Sequence, residues 1–181
     1  MIINTRKICL IGICIALAVA FGYVFLIIPN VEMITATIFI SGYLLGLRNG
    51  IFIGVVAEAI FSLTNPYGIP SPPLFMAQIL SMGFTGLLGG LFAAVAVTNH
   101  IKTHLTFSSA GLIATVFFAF CTNLSFIISM GFSLNRFFTT ILTGLHFYIV
   151  HIISNMIIFF AVVPFLIKTL KNNKTIIQII R

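Results

Sequence analysis

The sequence predicts an all-α integral membrane fold, a six-transmembrane-helix bundle with N- and C-termini cytoplasmic. Three observations carry that prediction. Of the 181 residues, 60% are hydrophobic and 6% charged, and the mean hydropathy is +1.24, whereas a soluble domain carries about 25% charged residues. The apolar residues fall in runs close to the ~20 residues that cross a bilayer as a helix. Lys and Arg, finally, concentrate on alternate connections between those runs.

The first run, 8–28, follows Arg6-Lys7, and Ala18-Val19-Ala20 resembles a leader cleavage site. It continues through Phe21 to Ile28, too long for a typical leader, and is read as a retained helix. Within it Gly12, Ala16 and Ala20 recur every four residues, a small-residue ridge that lets another helix approach closely. The second run, 31–47, and the third, 50–63, carry comparable ridges at Gly42 and Gly46 and at Gly50 and Gly54, as does the fourth, 74–97, at Gly86 and Gly90. These are read chiefly as packing inside the bundle. The third run is short for a span, which neighbours tolerate by burying it or by completing it with a dipping loop. Between it and the fourth, residues 65–73 hold four of the six prolines, which breaks any helix and makes a stiff loop suited to cap a cavity. The fifth and sixth runs cover 109–130 and 138–167. Short linkers and the lack of a fixed-period repeat give a single membrane domain over 1–181.

Orientation follows from the basic residues. With the N-terminus cytoplasmic, the inside segments carry Arg6, Lys7, Arg48, Lys102, Lys168, Lys171, Lys174 and Arg181, and the outside loops carry Arg136, eight against one. That is a positive-inside pattern. The net charge of +7 then reflects topology and an anionic inner leaflet, with no nucleic acid partner. Cys9, Cys14 and Cys121 lie in apolar runs without metal-ligand spacing and are expected as buried thiols.

The acidic residues number two, Glu32 and Glu58. A carboxylate within a membrane run costs from about 2.5 to more than 10 kcal/mol at the bilayer centre and usually faces a bundle interior at a site or pathway. Glu58 shares a face with Gly54 and Ala57, which points it inward. Gln78 shares a helix face with Met82, Thr85 and Gly89, while Tyr148, His151 and Asn155 share one in the last run. At about 1.5 Å per residue these groups converge on the outward half, with His151 and Asn155 deeper. Asn123 and His146 are read as bonding neighbouring helices. Glu32, just after Pro29-Asn30, is either a helix N-terminal charge or part of the site. Arg136 is an exposed loop cation or a lid over the cavity. With no Asp, no paired Glu and no Walker, HExxH or GxSxG sequence, an enzyme is not expected. ATP-driven uptake would need partner subunits.

Several segments carry a family resemblance: Pro29-Asn30-Val31-Glu32 leading into a helix, the hairpin from Ser41 to Gly50, Ala57-Glu58-Ala59 running to Asn65-Pro66, and Phe147-Tyr148 through His151 to Asn155 with Pro164 beyond. Together they resemble the substrate-binding S components of energy-coupling factor vitamin transporters over nearly all of the chain. The resemblance implies capture of a small water-soluble vitamin or related metabolite at the outer face, under the loops joining spans one to two, three to four and five to six. It implies docking through small residues of the first helix, here Ala16 and Ala20 with Gly12 beside them, onto a transmembrane coupling subunit that carries two ATPase subunits. Binding residues would come from Tyr148, His151 and Asn155, with Asn65 and Tyr67 from the loop, alongside Glu58, Gln78, Glu32 and Arg136. No cofactor or metal is expected, and the location is a bacterial or archaeal cell membrane. Two other functional classes fit the residues: a small proton-coupled carrier using Glu58, and a noncatalytic assembly or cell-shape protein whose ridges serve protein contacts.

Overall fold

The structure is a computed structural model and describes residues 5–131 and 133–180, so Arg181 of the basic count lies outside the described residues. Each apolar run folds as a helix: α1 (Thr5–Val24), α2 (Ile34–Leu45), α3 (Leu47–Leu63), α4 (Pro72–Leu91), α5 (Ile101–Met130) and α6 (Leu134–Asn172). A 3-10 turn (Phe92–Ala94) follows α4, and a short α7 (Lys174–Ile180) follows α6. Among the described residues, four elements are long and apolar enough to cross a membrane: α1, α4 with its 3-10 turn, α5 and α6. Helices α2 and α3 have 12 and 17 residues, about 18 and 26 Å at 1.5 Å per residue. Both fall short of a hydrocarbon core of about 30 Å.

The shortness of α2 goes with its position. Ten of its 12 residues are buried, the pattern of a helix that is apolar all round and enclosed by others. It packs on α1, α3, α4 and α6, while α5 lies along α6 and α4. At the centre Phe39 of α2 meets the rings of Phe92, Phe107 and Phe159 edge-on, with centroids 5.0 to 6.0 Å apart. Such pairs are each worth about 0.5–1.5 kcal/mol beyond burial.

Glycines set how closely the middle helices approach. A Cβ on Gly42 or on Gly50 would overlap the carbonyl oxygen of Gly86, and one on Gly86 would overlap that of Gly50. Helices α2, α3 and α4 therefore touch backbone to backbone, the packing that small residues permit where lipid removes the hydrophobic drive. The ridges at 42, 50, 54, 86 and 90 thus serve the interior. The ridge on α1 differs: Gly12, Ala16 and Ala20 are exposed, while Ala18 and Gly22 turn inward, and a Cβ on Gly12 would meet nothing within 4 Å.

Helix ends depart from the hydropathy reading where local chemistry prevails. The first helix stops at Val24 rather than 28, where the chain passes into turns closed by Leu26 N–H to Tyr23 O and Ile28 N–H to Phe25 O; Pro29, which disfavours helical backbone in the residue before it, and Asn30, with a left-handed φ of 59°, follow. The second and third runs divide at Gly46, whose φ of 85° reverses the chain in one residue, so α3 starts three residues earlier than 50. Helix α5 starts at Ile101, eight residues before 109. The polarity of Lys102 and His104 reads as a loop, yet exposed Lys102 reaches solvent from the helix and His104 has a specific partner. Pro164 lies inside α6 and cannot donate to the carbonyl of Phe160, four residues earlier. The His104 ring takes that role, with Nδ1 2.7 Å from Phe160 O.

The described Lys and Arg collect at one end of the bundle. Lys168 donates to Asn99 at 2.9 Å, and Lys171 donates to the Tyr43 hydroxyl at 3.1 Å and lies 4.5 Å from that ring's centroid. Arg136 stands at the other end. Of the cysteines, Cys9 is exposed and Cys14 and Cys121 are half-buried, a correction to the expectation of buried thiols: an apolar run in a membrane bundle has an outer, lipid-facing side as well as a core side.

Candidate binding site

At the end opposite the basic cluster, residues 25–33 cross the top of the bundle. They enclose a cavity of about 260 Å³. Its walls come from this crossing (Phe25, Pro29, Asn30, Glu32), from Phe61 of α3, Tyr67 of the proline-rich loop, Phe118 of α5 and His151 of α6. Tyr23, at the end of α1, donates to Thr64 O at 2.9 Å, which ties the rim of α1 to that of α3.

Each polar wall residue is held by its local structure. Glu32 sits two residues before α2, where the N-terminal dipole favours an anion. It accepts from the Thr35 hydroxyl one turn on, and His151 Nε2 lies 3.0 Å from its Oε1. The His151 ring in turn takes the edge of Phe118, centroids 5.5 Å apart. One helical turn deeper, Asn155 is fully buried. Its amide stands within reach of the Glu32 carboxylate, without a fully formed hydrogen bond at either atom. Native buried amides are nearly always bonded. From the same helix Ser154 donates to Asn30 O at 2.9 Å, which fastens the crossing segment to α6.

Glu58 forms a second polar group behind this wall. It is 2% exposed, as its inward-facing ridge predicts, and Ser62 Oγ lies 2.9 Å from its Oε1. The same hydroxyl lies 3.2 Å from Gln78 Oε1. One hydroxyl proton serves one acceptor. All three groups are satisfied when Ser62 donates to the carboxylate and the Gln78 amide, turned over, donates its N–H to Ser62. Glu58 is also within electrostatic reach of Glu32.

The predicted site residues therefore divide. Glu32, His151 and Tyr67 line the cavity, Asn155 lies just beneath it, and Glu58 and Gln78 form a chain through Ser62 outside its wall. Asn65 shapes the loop instead, its Oδ1 accepting from the Tyr67 backbone N–H at 3.0 Å. Tyr148 lies over Gly144 of its own helix and is not a wall residue. Arg136 donates to Met130 O and Gly131 O, closing the carbonyl end of α5, and is not a wall residue. Asn123 donates to Ala119 O of its own helix at 2.9 Å rather than to a neighbour. Sequence reasoning missed Ser62 and Thr35, although each stands one turn after a carboxylate, and the rings of Phe25, Phe61 and Phe118, which nothing in an apolar run distinguishes.

No curated protein and no solved structure matches the chain. A family model described as the ECF-type riboflavin transporter S component matches residues 2–173. With that match over nearly the whole length, and with a polar cavity set into one end of an apolar helical bundle, the chain belongs to the family of ECF transporter S components, multi-pass membrane proteins of vitamin uptake.

Proposed function

We propose that this chain captures a small water-soluble vitamin or related metabolite in the cavity beneath residues 25–33 and delivers it through a coupling subunit driven by two partner ATPases. The observation that supports this reading most is Asn155. Its fully buried amide faces the Glu32 carboxylate without a fully formed hydrogen bond at either atom, and it lies one turn below a histidine and carboxylate that line a cavity. A ligand carrying both a donor and an acceptor completes it. The rings of Phe25, Phe61, Phe118 and Tyr67 suit a flat heterocycle, which they would hold by stacking and edge contacts. Riboflavin, the vitamin in the family's name, is the first compound to test.

Topology fits the same reading. With the basic end facing the cytoplasm, both termini are cytoplasmic, the cavity opens outward, and α2 and α3 complete six spans with their short lengths enclosed by neighbours. The exposed ridge of Gly12, Ala16 and Ala20 is the docking face for the coupling subunit. The cell is bacterial or archaeal, as energy-coupling factor partners imply. Mass spectrometry of small molecules released from the purified chain tests the proposal. A stoichiometric vitamin-like compound is expected. An empty protein that accumulates solute by itself in liposomes under a pH gradient would instead establish a proton-coupled carrier working through Glu58.

A further inference from the structure

A second concavity runs along the seam between α5 and α6, starting at the basic end of the bundle. Its head is a niche of about 140 Å³ walled by Thr98 and Asn99 ahead of α5, His104 of α5, and Pro164, Phe165 and Lys168 of α6. Lys168 is exposed and donates to Asn99 Oδ1 at 2.9 Å, a neutral partner. The two acidic residues, Glu32 and Glu58, lie in and behind the cavity at the opposite end, so no acidic side chain competes for this ammonium. Toward the middle of the bundle the seam opens into a groove of about 310 Å³ lined by Ser108, Ile153, Met156, Ile157 and Phe160. The Ser108 hydroxyl is spent on Met156 O at 3.1 Å, which leaves a wall of hydrocarbon and one aromatic ring. Niche and groove meet at His104, whose ring stands 5.2 Å from that of Phe160 and whose Nδ1 is taken by Phe160 O. The groove faces outward, with Ile153 and Ile157 both exposed.

We infer that this seam seats one anionic phospholipid, with its phosphate at Lys168 and Asn99 and one acyl chain in the groove. Length and charge both support that occupant. Ile153 and Lys168 are 15 positions apart in α6, about 22 Å at 1.5 Å per residue, and one leaflet with its headgroups is about half of a 40–45 Å bilayer. Basic pockets between membrane helices on the cytoplasmic side suit anionic headgroups, and one Lys near an anionic surface is worth about a fivefold preference. A free phosphate ion would occupy the niche and leave the groove empty, whereas a lipid fills both. The inference is independent of the capture reading, since the seam and the cavity lie at opposite ends.

The test is native mass spectrometry of the purified full-length chain released from mixed micelles that hold phosphatidylglycerol and phosphatidylcholine in equal amounts with the same acyl chains. A single phosphatidylglycerol adduct is expected, about five times as abundant as the phosphatidylcholine adduct or more. Lys168→Gln, which keeps a hydrogen-bond donor but loses the charge, brings the two adducts to parity. Lys174→Gln, at the same end but outside the niche, leaves the preference unchanged. Ile157→Trp, which crowds the groove from an exposed position, removes most of both adducts and serves if Lys168→Gln fails to fold by thermal unfolding. Equal adducts of the two lipids on the unsubstituted chain, or equal effects of Lys168→Gln and Lys174→Gln, overturn the site. Displacement of the adduct by inorganic phosphate overturns the lipid as its occupant. Adducts unchanged by Lys168→Gln and Ile157→Trp, with co-purification of the coupling subunit lost, assign the seam to a protein partner and overturn the inference as well.

Discussion

Gly86→Ala tests whether the backbone contact among α2, α3 and α4 holds the bundle and the carboxylate it carries. The new Cβ would overlap Gly50 O and stand 3.0 Å from Ile51 N. Carbon contacts are optimal near 3.5–4.0 Å, so α3 and α4 must part by about 1 Å. A gap of that size forfeits a quarter to a half of each dispersion contact it opens. Over-packing costs about 1–3 kcal/mol, and two opposed backbones that cannot rotate away put this site at the upper end, about 3 kcal/mol. The better helix propensity of Ala returns about 1 kcal/mol, leaving about 2 kcal/mol net. For a chain of this size that lowers Tm by about 4–8 °C. The assay is thermal unfolding in detergent followed by far-ultraviolet circular dichroism, with Gly12→Ala as the comparison. There the added methyl meets nothing within 4 Å, so Tm stays level or rises. Equal Tm changes for the two substitutions would refute the argument that the internal ridges, and not the α1 ridge, set the packing.

Three further outcomes are expected. Asn155→Leu shifts the ligand-free Tm by only a few degrees, because the amide makes no fully formed hydrogen bond, yet lowers ligand affinity about tenfold or more; unfolding curves with and without ligand separate the two effects. His104→Ala costs about 1–3 kcal/mol by orphaning Phe160 O, and the loss shrinks when Pro164→Ala supplies an intrahelical N–H, so a double-mutant cycle should give a coupling of at least about 0.5 kcal/mol. Ala16→Leu with Ala20→Leu abolishes co-purification with the coupling subunit while changing stability by no more than about 0.5 kcal/mol, and retained co-purification would remove the ridge from the docking face.

Helix existence was legible from hydropathy because a membrane forces backbone hydrogen bonds to close within each segment. Helix ends were less so. After Val24 the chain turns through Leu26 N–H to Tyr23 O and Ile28 N–H to Phe25 O, and a hydropathy window passes over such turns. The early start of α5 was hidden by Lys102 and His104, polar residues that a helix accommodates once one reaches water and the other finds the carbonyl freed by Pro164. That bond joins residues 56 positions apart, and no local pattern announces it. In the site, the inward direction of Glu58 was readable from Gly54 and Ala57, since a helix face is set by spacing alone. Tyr148 obeyed the same spacing but lies over Gly144, because a shared face fixes where a side chain starts and not which way it turns.

Glu32 shows most directly how the two levels interlock. Its position before α2 offered a helix-terminus role or a site role, and in the structure one does not exclude the other. The dipole of α2 and the Thr35 hydroxyl favour a carboxylate at that point, and this lets an anion stand in an apolar bundle before any ligand arrives. His151 can then approach to 3.0 Å, and Ser154, three residues on, ties down Asn30. The crossing segment over the cavity is thereby fastened to α6 by two polar contacts, at Asn30 and at Glu32. On the proposed function, a ligand group that took over Glu32 from His151 would loosen one of them. On that reading, occupancy of the cavity and the seating of the segment above it would then be coupled through the Glu32 carboxylate.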